Sequence, residues 1–90
     1  MTVYLVTYDL NREINRPPIV DKIKNTGTSW ARLSESSYAI THFGTPDDVY
    51  NALRPLLDQN DHIYIITLKQ PWQGFGPTEV NEWLNKNLNY

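Results

Sequence analysis

The chain has no cysteine, only four glycines and one methionine among its 90 residues. Without cysteine there is no disulfide staple, no thiolate nucleophile and no cysteine-bound zinc. An excess of positive charge is also missing. Eight basic residues stand against ten acidic ones, a net of −2. That excludes the strongly basic balance of a protein held to nucleic acid by charge alone, and leaves room only for a local basic patch. No apolar run nears the roughly 20 residues that span a bilayer. The start has no basic-then-apolar signal layout, so the expectation is a soluble cytoplasmic protein with no membrane partner. A chain of this length buries only about 60–65% of its unfolded surface, so the core is small. The 12% of aromatic residues must supply much of its volume.

No repeat or low-complexity tract interrupts the sequence, which reads as one domain over residues 1–90. Thr2 to Tyr8 is a dense β-branched and aromatic run, apolar on both faces, and predicts a strand inside a sheet. Asp9 and Asn11 end it. Pro17-Pro18 suit a first helical turn, where a missing amide donor costs nothing, and Ile19, Val20 and Ile23 give an apolar stripe. Gly27 reads as a left-handed helix stop. Ser29–Leu33 and Ser37–His42 read as strands joined through Ser34-Glu35-Ser36. Thr45, Pro46, Asp47 and Asp48 form a strong helix start, and Val49, Leu53, Leu56 and Leu57 are expected to face inward. Pro55 predicts a break near Asn51–Arg54. His62–Leu68 is a second densely apolar strand, suited by composition to a central position. Thr78 is expected to cap a last helix carrying Val80, Trp83, Leu84 and Leu88, with an Asn-rich end that frays.

The order β-α-β-β-α-β-α predicts an α+β ferredoxin-like domain: an antiparallel four-stranded sheet, helices on one face and an extra C-terminal helix. That topology places strands one and three in the middle. The fourth strand therefore reads more apolar, and the third less apolar, than their places in this fold prefer.

Several features carry a family resemblance. They are Val3 to Leu10 with Tyr8-Asp9 at the strand end, Gly27, the Trp30–Ile40 hairpin with its Trp-x-x-Leu-Ser-x-Ser spacing, and Trp83-Leu84-Asn85. In these the chain resembles the small CRISPR-adaptation proteins of the Cas-two group, virulence-associated protein D, and most of all the small SinR-like proteins of bacteria and phages. The resemblance implies a homodimer. In some members it also implies metal-dependent cleavage of RNA or DNA, with the aspartate at the position of Asp9 paired with its copy around Mg2+ or Mn2+. The chain departs from the Cas-two pattern at Pro17-Pro18, where that group carries arginines, and in ending on a helix rather than an exchanged strand.

Each candidate residue has a plainer reading beside the functional one. Asp9 is the candidate catalytic and metal-binding residue; the alternative is a turn-organising carboxylate helped by Asn11. Arg12 and Arg16 are candidate phosphate ligands, and with Lys22 and Lys24 they hold four of the eight basic residues. Their plainer reading is a solvated loop and helix face, diluted by Glu13 and Asp21. His42 and His62 lie at strand ends with no metal-ligand spacing. Trp72 and Phe75, among Gly74 and Gly76, suggest a lid or an interface clasp. The other rings read as core or dimer interface. Two functions follow. One is a non-catalytic module binding a nucleic acid, a nucleotide or a protein. The other is a divalent-metal-dependent endonuclease using Asp9 from both protomers. The acidic balance and sparse carboxylates favour the first.

Overall fold

The computed structural model describes residues 1–90. Strand β1 (Thr2–Asp9) leads through a 3-10 turn at Glu13–Asn15 into helix α1 (Arg16–Thr26). The hairpin β2 (Ser29–Ser34) and β3 (Ser37–His42) follows, then α2 (Pro46–Leu53), a second 3-10 turn at Arg54–Leu56, β4 (His62–Leu68) and α3 (Thr78–Asn87). The four strands lie in the order β2-β3-β1-β4, every pair antiparallel, as a ferredoxin-like domain requires. No helix is long and apolar enough to cross a membrane.

Alternation along β1 assigns its side chains to two layers. Tyr4, Val6 and Tyr8 point toward α1 and α2, where they meet Ile19, Ile23, Val49 and Leu53, with Tyr38 and Ile40 from β3. Val3 and its neighbour Ala39 point to the opposite face, where Leu84 and Leu88 of α3 cover them. Trp72, Val80, Trp83 and Leu68 pack around that second, smaller cluster.

Local chemistry explains the helix limits. Thr45 accepts a hydrogen bond from the Asp48 amide at 3.3 Å, and the Asp48 carboxylate accepts one from the Thr45 amide at 2.8 Å. This reciprocal box fixes the start of α2. These bonds hold the Asp48 carboxyl below its ordinary pKa. Pro55 ends α2 at Leu53 and tightens the next residues into a 3-10 turn, as expected from its missing amide donor.

Five expectations are corrected. β4 is an edge strand, not a central one. Its apolar character on both faces has two separate causes: Ile63 and Ile65 support the α1/α2 core, while Tyr64 and Ile66 stand exposed on the other side. β3 takes the central place with small residues, because α3 lies close over Ala39 and the buried Thr41 hydroxyl is satisfied by Thr28 and Ser29. Gly27 is extended (φ −81°, ψ 159°), not left-handed. Glycine stands there because a Cβ would lie 2.8 Å from Ile40 Cβ. Leu56 is exposed, since the 3-10 turn rotates it off the inward stripe of α2. Thr78 is the first residue of α3 rather than its cap, a place held by Pro77. Nor does the chain end fray: Leu88 is buried, and Tyr90 accepts hydrogen bonds from the amides of Val3 and Gln70.

Candidate functional site

The α3-side face of the sheet is only half covered. Register places Leu5 beside Ile66, Thr7 beside Tyr64 and Asp9 beside His62 on this face. α3 reaches Val3, Ala39 and Leu68 but stops short of these pairs. Tyr64 and Ile66 are left 66% and 48% exposed, with Leu33 of β2 also open. The strand residues that share this face include no lysine and no arginine. The exposed region is therefore apolar, with one carboxylate at its rim.

That carboxylate is Asp9. It ends β1, is exposed, and lines a shallow depression of about 290 Å³ with Thr7, Tyr8, His62 and Tyr64. No hydrogen bond engages its side chain. The loop acid is instead Asp61, whose carboxylate accepts from the Asn11 amide at 2.7 Å and the Asp58 amide at 2.9 Å. Desolvation works against the Asp61 carboxylate, but the two amides outweigh it and hold its pKa below the ordinary aspartate value. Sequence reading missed Asp61; the run Asp58-Gln59-Asn60-Asp61 before a strand was the available turn signal.

A divalent cation of the magnesium type takes oxygen ligands, commonly one or two carboxylates with water and substrate phosphate. Within one chain no group of three or more His, Cys, Asp or Glu side chains is placed to hold a metal. Asp9 with adjacent His62 is a partial donor set, so the residues of a single chain do not fit the ion. The Asp9 of a partner subunit would have to complete it.

Arg16 is engaged within the protein. Its Nε and Nη2 donate to the two carboxylate oxygens of Glu13 at 2.8 and 2.9 Å, and Nη1 donates to the Glu35 carbonyl. The guanidinium also lies over the Tyr8 ring, 5.6 Å from its centroid. The Glu13 contact pushes the arginine further above its ordinary pKa and lowers that of Glu13. The same Glu35 carbonyl accepts from the Tyr8 hydroxyl at 2.8 Å. Arg16 thus ties the entrance of α1 to the β2–β3 turn. Arg12 is exposed at the head of the Glu13–Asn15 turn and carries no such contact. The spacing of Glu13 and Arg16, three residues apart in a helical turn, is the signal that shows the fork is occupied.

His42 accepts from the Gly44 amide through Nδ1, and Tyr4 donates to the Gly44 carbonyl, so this histidine organises the approach to α2. Trp72 is half-buried against the α3 cluster, whereas Phe75 is fully exposed at the loop tip. Between the loop and α3 runs a groove of about 410 Å³ bordered by Leu33, Leu68, Val80 and Leu84.

No family model and no curated protein matches this chain. Among solved structures it is similar to a hypothetical protein of Thermus thermophilus, at 22% identity and a TM-score of 0.66, over 84% of this chain and 92% of that one. That likeness, with the strand order and the helix placement above, shows the chain to be a small α+β ferredoxin-like domain.

Proposed function

We propose that this chain is a non-catalytic binding module that works as a homodimer and takes a protein surface on its half-open sheet face. The observation that carries this reading is the exposed pair Tyr64 and Ile66 beside Leu5, on a face whose strands bring no lysine or arginine. Nucleic acid and nucleotide ligands need cations or oriented donors for phosphate. The arginine best placed for that role in sequence, Arg16, is held by Glu13. Apolar surface with little charge suits a protein partner instead. Light scattering over a concentration series tests the module: self-association is expected, with no shift in melting temperature on adding single-stranded RNA or a nucleotide. A monomer at every concentration would overturn it.

A second reading rests on Asp9, an exposed carboxylate with no hydrogen bond, set at a strand tip beside His62. Paired with its copy across a two-fold axis, it would give a divalent-metal-dependent endonuclease for RNA or DNA, using Mg2+ or Mn2+. Two carboxylates would supply the metal oxygens, with Arg12 free to meet phosphate. Incubation of RNA and DNA with purified protein and Mn2+ decides between the readings. Cleavage lost in Asp9→Asn, with the melting temperature unchanged, would favour the nuclease.

A further inference from the structure

Resting on the homodimer reading above, we infer that β4 binds a second copy of itself, strand to strand and antiparallel, in a register centred on Ile65. The argument begins with the two edges of the sheet. At one edge, β2 carries Arg32 and has a register irregularity between Arg32 and Ser34. Charge and a bulge are usual devices that stop an edge from pairing. At the other edge, β4 reads His-Ile-Tyr-Ile-Ile-Thr-Leu without lysine, arginine, acid, proline or glycine. Its pairing with β1 runs unbroken from Val3–Leu68 to Asp9–His62. It is an unbroken seven-residue strand, apolar but for His62 and Thr67, whose outer main-chain groups have no strand beside them.

The sequence around β4 is complementary to its own reverse. A two-fold axis through Ile65 sets Tyr64 beside the partner's Ile66, and Ile66 beside the partner's Tyr64. Both pairs fall on the half-open face, where these side chains are exposed. One step beyond the strand ends, the same register brings Lys69 opposite the partner's Asp61, and Asp61 opposite the partner's Lys69. Lys69 is exposed, and the one ion pair within the chain, Arg16–Glu13, does not involve it. The Asp61 carboxylate uses its oxygens on two backbone amides and keeps lone pairs for a cation. Moving the axis to Tyr64 sets Ile66 against the partner's His62; moving it to Ile66 sets Asp61 against the partner's Pro71. Both shifts lose the two charge pairs. Charge and apolar matching therefore select one register.

Because the chain has no native cysteine, disulfide trapping reads this register directly. Side chains directly opposite in an antiparallel pair have Cβ atoms about 4.5–5.5 Å apart, the near end of which meets the upper limit for a disulfide, whereas diagonal neighbours lie about 7–8 Å apart. Tyr64→Cys protein mixed with Ile66→Cys protein and a mild oxidant should form the mixed disulfide at least ~10-fold faster than either protein cross-links to itself. Lys69→Glu should weaken the dimer several-fold, an effect that shrinks as salt rises. A dimer that forms with no preference for the mixed disulfide would overturn this register and leave the homodimer reading standing. A chain that stays monomeric by light scattering at all concentrations would overturn both. Circular dichroism of each variant confirms that these exposed substitutions leave the fold intact.

Discussion

The two faces of the sheet are built from alternate residues of the same strands, yet they solve different problems. On one face Tyr4, Val6, Tyr8 and Ile40 are sealed beneath α1 and α2. On the other, α3 covers Val3 and Ala39 and leaves Leu5, Tyr64 and Ile66 short of cover. A chain of this size buries only about 60–65% of its unfolded surface, and it is on the second face that the cover runs out. The sealed face holds the fold together, and the half-open face is what remains for contact. The difference is set by helix placement, since β1 and β4 are themselves apolar on both sides.

Substitutions at matched sites would break or sharpen this contrast. The largest loss is expected under α2, where Leu53 is fully buried: Leu53→Ala should lower unfolding stability by about 2–5 kcal/mol in urea denaturation. Leu84→Ala, on the inner side of α3, should sit at the low end of that range, about 2 kcal/mol, because its cluster is smaller and borders open surface. A loss as large as that of Leu53 would show the second face to be sealed after all. Thr45→Ala removes one half of the box that starts α2 and should cost about 1 kcal/mol.

The acid limb of stability follows from the same kind of contact. Asp48 and Asp61 have folded-state pKa values below their ordinary ones, so their contribution is complete above the unfolded value of about 3.9 and disappears as pH falls through the lower folded values. Thermal melts below about pH 4 should therefore shift downward, and Asp61→Asn should flatten that dependence. The smallest effect is expected on the open face. Ile66→Lys should change monomer unfolding by no more than about 0.5 kcal/mol, while it abolishes self-association.

Much of the sealed face was legible from the chain alone. β1, the Thr45 start of α2 and the break at Pro55 rest on local chemistry, and each stands where the residues put it. The places of β3 and β4 are less legible from composition, for a physical reason. Hydropathy measures how apolar a strand is, not which neighbour covers it. β4 is apolar because it supports one core and presents Tyr64 and Ile66 to solvent. β3 reads as weakly apolar because a close helix leaves room only for Ala39. The candidate site divides in the same way. The position of Asp9 at a strand tip follows from the end of the β-branched run, but nothing in that run shows that Asp61, fifty residues on from Asn11, takes the Asn11 amide. Arg16 was open to a fuller reading, since Glu13 stands within one helical turn of it.

The hydroxyl of Tyr90 accepts from the Val3 amide at 2.6 Å, and its carbonyl accepts from the Gln70 amide at 2.8 Å. The first strand and the last residue are thereby neighbours in space. A short flexible linker from residue 90 to residue 1 would therefore close these 90 residues into a ring. New ends opened between Gly74 and Phe75, at the exposed loop tip, would give a circular permutant with every strand neighbour retained.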